Sequence, residues 1–313
     1  MSSVVVKSPG MLTTVQDLGR PGYGPIGVSP AGAADHVALR LANLLVGNEP
    51  AAAALEMTLI GGIFVFPQAA VFALTGANMG AMLNGHSIDL WTTHAARSGA
   101  ELALGHTKNY ARSYLAVAGG IHVPLFLGSA STHLLSGTGG LEGRALRKGD
   151  VLRIGMPKTK LEPRRVSQSL LANLKPRRVL RITDGPQAEQ FSSETREAFA
   201  RQTFRVTEEC DRLGLRLDGP PIPSLTPADM ITEPVSLGAI QITPSGQAII
   251  LGVDQQTTGG YPKIANVIGV DLHRVGQLRP RAEIRFERTS LAVARALWME
   301  QERLLNNPGQ LFV

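Results

Sequence analysis

The side chains best suited to chemistry follow one another in a ten-residue block of this chain, residues 254–263. The block brings a carboxylate, Asp254, together with amides, hydroxyls, a phenol and the ammonium of Lys263 around two adjacent glycines. It directly follows an apolar run, 248–253, of the kind that forms a buried strand. A strand that ends in a polar, glycine-containing segment exposes both side chains and backbone N–H groups to a ligand. The alternative is an ordinary surface turn, which needs far fewer polar residues.

A second candidate segment is the charged pair Asp211-Arg212, which lies between two predicted short strands. A solvated turn at such a place more often carries Asn, Gly or Ser. We therefore predict that Asp211-Arg212 and the 254–263 block line one cleft in the C-terminal half. A basic group from each segment, Arg212 and Lys263, would give this cleft a positive potential suited to a carboxylate or a phosphate.

Composition excludes several classes of protein. Hydrophobic residues make up 43% of the 313 residues, with Gly 34 and Pro 20, which is typical of a folded, turn-rich chain. No apolar run reaches the roughly 18 residues of a membrane span, and residues 1–7 lack the pattern of a signal peptide. The net charge of +6 permits nucleic-acid binding, but aromatic residues are only 5% and no base-stacking motif occurs. We expect neither a membrane nor a nucleic acid as a partner.

A single cysteine, Cys210, excludes an internal disulfide and a cysteine-based zinc cluster, and it fits a reducing cytoplasm. Its neighbours Glu209 and Asp211 argue against a nucleophilic thiolate. The chain has no phosphate-binding P-loop, no G-x-S-x-G elbow and no H-E-x-x-H motif, and its histidines show no metal-ligand spacing. We expect no metal site, and no biotin attached to this chain, because the signature Ala-Met-Lys-Met is missing.

Short apolar or alternating runs bounded by Gly, Pro and Asn predict a mainly β protein with two β-barrel-like domains and a few peripheral helices. We place the first domain, with one helix, at residues 1–165 and the second, with a C-terminal helix capped by Ser290, at 175–313. Between them lies a proline-punctuated basic stretch that is typical of a solvated linker and, as an alternative, of a binding patch. Asn84-Gly85 predicts a type I′ hairpin turn.

The helix of the first domain is predicted over 34–46 from its helical spacing of apolar residues. Asp35, His36, Arg40 and Asn43 lie together on another of its faces. That face is either solvated or a set of functional side chains, and the pattern alone favours neither. Asp17 and Arg20 leave a similar choice, in which a structural pair is preferred.

Longer motifs resemble the KipA/PxpC family, also known as allophanate hydrolase subunit 2. The resemblance runs in register from about residue 4 to residue 300. The segments that carry it most clearly are Thr13–Arg20, Gly32–Asp35, Ser113–Ile121, Gly139–Arg144, Asp211–Gly214, Gly238–Gln241 and Asp254–Lys263. Three segments depart from the usual pattern: Leu215 stands where an aromatic residue is common, Arg281 where a glycine is common, and Ser136–Gly139 differs near a plausible substrate wall.

The resemblance implies cyclophilin-like β-barrel domains and a KipI-like (PxpB-like) partner. It also implies the C component of an ATP-dependent 5-oxoprolinase, in which the lactam is phosphorylated before a PxpA-like partner opens the ring to glutamate. ATP is then a co-substrate, with Mg²⁺. The alternatives are a carboxyltransferase-type subunit for urea or a related amide, and a regulator that binds a KipI-like partner without turnover.

Under this hypothesis the small amide or lactam and the nucleotide contact the residues singled out above. Basic side chains hold phosphate or carboxylate oxygens, and the amides and hydroxyls hold the lactam. The predicted catalytic residues are Asp254, Gln256, Thr257 and Lys263. The predicted binding residues are Asp211, Arg212, Gln241, Thr258, Gly259, Gly260, Tyr261, Asp35, Arg40 and Asn43.

Overall fold

The computed structural model describes residues 2–157, 162–175, 177–225 and 230–313. The chain divides into two compact units. Unit 1 comprises residues 1–20, 31–175 and 305–313, and unit 2 comprises residues 21–30 and 176–304. Lys158 and Lys160, which belong to the predicted linker, lie outside the described residues.

Unit 1 consists of two antiparallel sheets and two helices that precede residue 175. The strands of the seven-stranded sheet, in spatial order, are β11 (Ile121–His122), β12 (Val151–Ile154), β1 (Ser3–Ser8), β4 (Ile63–Phe66), β9 (Ala100–Ala103), β6 (Met82–Leu83) and β7 (His86–Ser87). Those of the five-stranded sheet are β2 (Leu12–Gln16), β3 (Ala54–Thr58), β10 (Arg112–Val117), β5 (Ala70–Gly76) and β8 (Thr93–Ala96). The helices are α1 (His36–Leu45) and α2 (Gln168–Leu174).

Alternation along the strands of the five-stranded sheet explains the layers of unit 1. In β10, Leu115 and Val117 belong to the core shared with residues of the seven-stranded sheet, whereas Tyr114 and Ala116 pack with residues of α1. Successive side chains of a strand point to opposite faces, so every residue of β10 is buried. The predicted hairpin is confirmed, since Asn84 and Gly85 both have positive φ, 50° and 80°, between the paired strands β6 and β7.

Unit 2 is a closed barrel, which confirms the mainly β class and the predicted barrel of the C-terminal half. Its strands, in spatial order, are β13 (Val179–Asp184), β20 (Lys263–Val267), β17 (Ala239–Ile242), β18 (Ala248–Leu251), β15 (Gly214–Asp218), β14 (Phe204–Cys210) and β21 (Glu283–Arg288). A two-stranded sheet pairs β16 (Glu233–Pro234) with β19 (Thr258–Gly259). The helices are α3 (Ser193–Arg201), α4 (Leu272–Val275) and α5 (Leu291–Leu305), and α6 (Pro308–Leu311) follows in unit 1.

Strand alternation separates the barrel core from its outer face. Leu215 of β15, Ile240 of β17 and Ile250 of β18 lie in the core. Their neighbours Arg216, Gln241 and Ile249 therefore point to the other side of the wall. The outer face of strands β17, β18 and β15 therefore carries a polar, an apolar and a polar side chain next to one another. The candidate site lies on this face.

The stretch predicted as a solvated linker is structured where it is described. Arg165 pairs with Asp89 at 2.6 Å, Val166 is fully buried, and α2 begins at a Ser167 cap. The linker prediction is wrong for residues 164–174 because Val166 and the leucines of α2 pack in the core of unit 1. Ser290 caps α5 as predicted, accepting a hydrogen bond from the Val293 N–H at 3.2 Å. No helix among the described residues is both long and apolar enough to cross a membrane.

Candidate functional site in unit 2

A cleft of about 450 Å³ lies on the outer face of the barrel wall. Its floor is formed by one residue from each of three neighbouring strands: Ile249 pairs directly with Gln241 on one side and with Arg216 on the other. Gly214 and Leu251 form the next pair along the same wall. The floor is therefore apolar in the middle and polar at both sides, an arrangement typical of small-molecule sites.

Two loop segments form the walls of the cleft. One is the end of β14 with the following turn, residues 208–211, and the other contributes Gln256 and Tyr261 from the 254–263 block. Asp211 is fixed by its own turn, because one of its carboxylate oxygens accepts the N–H groups of Leu213 and Gly214 at 2.7 and 3.1 Å. Both sequence segments that we predicted to share a cleft thus contribute residues to one cleft.

The two basic residues predicted for this cleft do not line it. Arg212 and Asp254 form a bidentate ion pair, with Nε–Oδ2 and Nη2–Oδ1 distances of 2.8 and 2.9 Å. Both side chains are buried, at 5% and 6% exposure. The Asp254 N–H also donates to the Arg212 carbonyl at 2.9 Å. This pair joins the turn after β14 to the loop after β18.

Lys263 is buried at 2% exposure, and its Nζ lies 2.5 Å from Oε1 of Glu233. Glu233 also accepts a hydrogen bond from Gln187 Nε2 at 2.7 Å, while Gln187 Oε1 accepts the Lys263 N–H at 3.1 Å. The hydrogen bonds from Lys263 and then Gln187 hold the pKa of Glu233 below its usual range, against a smaller opposing effect of burial. Lys263 thus ties β20 to β16.

The predicted positive potential of the cleft is wrong. Its lining holds three carboxylates, from Glu208, Glu209 and Asp211, and one guanidinium, from Arg216. The sequence shows Arg212 in the turn after β14 and Lys263 at the end of the block, but it does not show that both are neutralised in ion pairs. Arg216 was not predicted; its position opposite Ile249 follows only from the strand register.

The remaining residues of the block have defined places. Thr258 and Gly259 form β19 and pair with β16, and the Thr257 carbonyl accepts the Val235 N–H at 3.1 Å. The Gly260 carbonyl accepts the Met230 N–H at 3.4 Å. The carboxamide of Gln241 is different: the residue is 2% exposed, and its Nε2 has no hydrogen-bond partner in the described part of the chain.

The polar residues of α1 belong to unit 1 and make structural contacts there. Asp35 caps the helix by accepting the Ala38 N–H at 2.8 Å, and Asn43 donates to the Ala52 carbonyl at 2.7 Å. Arg40 donates to Asn306 Oδ1 at 3.2 Å. Asp35, Arg40 and Asn43 are all buried, so the alternative of a solvated face is wrong for these residues.

A buried network that the sequence did not reveal anchors the same helix. Tyr114 donates its hydroxyl to Glu56 at 2.7 Å and accepts the Asp35 N–H at 2.7 Å, while Glu56 also accepts the Ala34 N–H at 2.9 Å. Burial first, and then the nearby charges of Glu56 and Asp35, raise the pKa of Tyr114 well above its ordinary value. In the sequence, this network is indicated only by Glu56, a carboxylate within the largely apolar strand β3.

Asp17 and Arg20 are also held within unit 1. The Asp17 carboxylate accepts hydrogen bonds from Ser129 Oγ and the Ala130 N–H, both at 2.6 Å. Arg20 donates to the Ser131 carbonyl and lies over the Phe126 ring at 5.3 Å from its centroid. These contacts give both side chains a structural role in unit 1, and a direct Asp17–Arg20 pair stays a prediction. In the described ranges, no group of three or more His, Cys, Asp or Glu side chains is placed to hold a metal ion.

Comparison with known proteins gives a consistent result across sequence and structure. The family model for the carboxyltransferase domain, subdomain A and B, matches residues 26–288. The chain is 40% identical to the C component of 5-oxoprolinase from Escherichia coli over 94% of both proteins. It is 36% identical to urea amidolyase of Lachancea kluyveri, covering 95% of this chain and 17% of that protein. The crystal structure of the K. lactis urea amidolyase superposes with a TM-score of 0.92 at 34% identity, covering 98% of this chain and 20% of that one.

Proposed function

Since the chain belongs to the family of carboxyltransferase domains with subdomains A and B, we propose that it is the C component of an ATP-dependent 5-oxoprolinase. The observation that carries this proposal is the 40% identity to such a 5-oxoprolinase component along 94% of each chain. A second relative with the same name, from Haemophilus influenzae, is 36% identical over 94% of this chain. Matches of nearly full length support a whole-protein role and not only a shared domain.

In the proposed reaction the lactam oxygen of 5-oxoproline attacks the γ-phosphorus of ATP. A phosphorus–oxygen bond to the lactam forms, the bond to the β-phosphate oxygen breaks, and ADP leaves. The phosphorylated ring is then opened with water to glutamate and phosphate by a PxpA-like partner. Phosphoryl transfer of this kind depends mainly on positioning and charge neutralisation.

We assign to this chain the binding and orientation of the lactam in the unit 2 cleft. The site is completed by a KipI-like partner, and ATP enters with Mg²⁺. Buried ion pairs already use Arg212 and Lys263, so their role in the proposal is to hold the cleft walls. The cleft-lining side chains Gln256 and Tyr261 remain available for contact with the substrate. The cytoplasmic location stays a prediction.

The test is reconstitution. The chain is purified with a KipI-like and a PxpA-like protein from the same organism, and ADP and glutamate are measured with and without 5-oxoproline. We expect ADP formation that depends on 5-oxoproline and on this chain. Absence of 5-oxoproline-dependent ADP in the assembled complex would contradict the proposal. Omitting each protein in turn is the control, and a stable complex without turnover would instead favour the regulatory alternative.

A carboxyltransferase acting on urea or a related amide is the second candidate. The TM-score of 0.92 with the K. lactis urea amidolyase supports it specifically. This function needs a biotin carrier on another chain, because none is predicted on this one. The two candidates are separated by supplying carboxylated biotin carrier and urea in place of ATP and 5-oxoproline. Urea carboxylation without lactam-dependent ADP would favour the carboxyltransferase.

A further inference from the structure

The buried carboxamide of Gln241 is the most informative unused polar group of the unit 2 cleft. Its residue is 2% exposed, and Nε2 has no hydrogen-bond partner among the described residues. A buried amide donor left without a partner destabilises the folded state. Buried polar groups of native proteins are nearly always partnered, so an exception at the floor of a cleft points to a ligand that supplies the missing acceptor.

The backbone explains how Gln241 reaches the cleft. Ile240 and Ile242 on either side lie in the barrel core, so strand alternation points Gln241 to the outer face. The neighbouring strand β20 is irregular at this point: Ile240 pairs with Ala265 but Gln241 pairs with Lys263, which marks a bulge in β20. Bulges are frequent beside functional sites.

Arg216 lies on the opposite side of the same floor. Ile249 pairs directly with both Gln241 and Arg216, so the three residues form one row across three adjacent strands. Neighbouring strands are about 4.8 Å apart, which separates the Gln241 and Arg216 backbones by roughly 10 Å. An amide and a guanidinium therefore face each other across an apolar side chain, at a spacing that fits a small ring with two polar ends.

We infer that this row is the recognition element for a lactam that carries a carboxylate. The Gln241 carboxamide hydrogen-bonds the lactam amide, the ring packs on Ile249, and the Arg216 guanidinium binds the carboxylate. The inference rests on the proposed function for the identity of the substrate and adds the residues that select it. Neither Arg216 nor the row emerged from the sequence, since both depend on strand register.

The present contacts of Arg216 are suited to exchange. Its Nη1 donates to Gln247 Oε1 at 3.3 Å. Glu209 lies 3.3 Å from the guanidinium, and the side chains of Glu209 and Arg216 are 80% and 45% exposed. Ion pairs this exposed contribute little to stability. A ligand carboxylate that reaches Arg216 replaces Glu209 at little cost, whereas Glu209 competes with it by charge. Glu208 has a different partner, Arg281, at 2.8 Å in a similarly exposed ion pair.

Gly259 provides the space that the Gln241 carboxamide occupies. A Cβ at position 259 would lie 2.5 Å from Gln241 Nε2, 3.2 Å from Val235 Cγ1 and 3.4 Å from Gln256 Nε2, so its closest contact is with Gln241. The contact is with the end of a flexible side chain, so alanine at 259 would displace the carboxamide while the fold is kept. This gives a way to move the amide of Gln241 without substituting Gln241 itself.

The test is direct binding to the full chain, alone and with its KipI-like partner, measured by calorimetry. The probes are 5-oxoproline, 2-pyrrolidinone, which has the same ring without the carboxylate, and urea. We expect R216Q to weaken 5-oxoproline about tenfold or more, as loss of a charge-assisted contact does, and E209Q to strengthen it several-fold. Neither substitution should change the affinity for 2-pyrrolidinone.

The amide contact has its own pair of variants. We expect Q241L and G259A to weaken both lactams about tenfold, and 5-oxoproline to shift the side-chain NH₂ signal of Gln241 in a ¹⁵N NMR spectrum. R205Q is the matched control, because Arg205 is an exposed arginine of the adjacent strand that pairs with Glu283 outside the cleft. Its affinity for 5-oxoproline should equal that of the wild type.

Several outcomes would overturn the inference while the proposed function stands. One is a reconstituted complex that turns over 5-oxoproline with the same KM in wild type, R216Q and Q241L. Another is equal weakening of 5-oxoproline and 2-pyrrolidinone by R216Q, or tight binding of urea that does not depend on Gln241. The reverse result is also informative. If R216Q and E209Q change the affinity for 5-oxoproline as predicted but the complex forms no ADP, the recognition role of Gln241, Ile249 and Arg216 is supported and the proposed function is contradicted.

Discussion

Replacing Asp254 by asparagine should destabilise unit 2 far more than it alters ligand chemistry. Asp254 accepts two hydrogen bonds from the Arg212 guanidinium, at 2.8 and 2.9 Å, and both side chains are about 95% buried. Asparagine keeps the shape and one acceptor but removes the charge. The guanidinium then remains buried without its counter-ion, which is the unfavourable element of the variant.

The expected magnitude follows from this burial. Removing one partner of a buried ion pair costs about 3–5 kcal/mol, since solvent does not screen the remaining charge. At roughly 2–4 °C per kcal/mol, the melting temperature should fall by about 6–20 °C. Replacing both residues by apolar ones of similar size, Arg212→Met with Asp254→Leu, should recover much of the loss, because no unpaired charge is then buried.

Thermal unfolding followed by circular dichroism measures this effect, with Asp218→Asn as the control. Asp218 is an exposed carboxylate of β15, so its substitution should change stability by less than about 0.5 kcal/mol. If Asp254→Asn melts with the wild type but abolishes 5-oxoproline-dependent ADP formation, the reasoning is refuted. The Asp254 carboxylate would then act on the ligand, as the sequence alone predicts, instead of joining two loops through its ion pair with Arg212.

Three further substitutions test other parts of the fold by chemical denaturation. Tyr114→Phe should cost about 1–3 kcal/mol, because Glu56 loses a hydroxyl donor. The pKa of Tyr114 is raised in the folded protein, so the contribution of its hydroxyl to stability should be complete below pH 10.0 and be lost as the pH rises above that value. Only the wild type should show this loss. Asp271 is fully buried and accepts hydrogen bonds from Nε and Nη2 of Arg181 at 2.9 and 2.7 Å, so Asp271→Asn should cost about 3–5 kcal/mol at pH 7. Burial opposes ionisation of Asp271, but the bonds from Arg181 outweigh it and lower its pKa, so the difference from wild type should shrink as the pH falls below 3.8. Ser290→Ala removes the cap of α5 and should cost about 1 kcal/mol, with a matching loss of helical signal. For each of the three variants, an unchanged free energy of unfolding would contradict the contact on which the prediction rests.

The sequence predicts the parts of the fold that depend on local pattern. The strand that begins at Ala248, the hairpin turn at Asn84-Gly85 and the Ser290 cap follow from apolar patterning, turn chemistry and capping preferences, which involve residues close in sequence. The helix of unit 1 was predicted within two residues at each end, because its apolar spacing and Gly47 mark its limits. Helix α2 was missed since prolines and basic residues surround it and obscure its short apolar stripe.

The candidate site was predictable in location but not in electrostatics. Local composition was enough to single out the 254–263 block and Asp211. Arg212 and Asp254, however, are 42 positions apart, and only the strand register shows that they pair. The same holds for Arg216, whose place in the floor depends on pairing through β18. Charges that are near one another in sequence indicate a site, but which of them face solvent is decided by tertiary pairing.

The basic residues Arg212 and Lys263 have a consistent role once their partners are known. Arg212 joins the turn after β14 to the loop after β18, and Lys263 joins β20 to Glu233 of β16. Strand β16 in turn pairs with β19, which carries Gly259 against the Gln241 carboxamide. The buried ion pairs therefore fix both walls of the cleft, and recognition is left to groups that are neutral or weakly paired. Binding and stability should accordingly separate in mutants: changes at Arg212 or Lys263 should lower both, whereas changes at Gln241 or Arg216 should lower affinity with stability nearly unchanged.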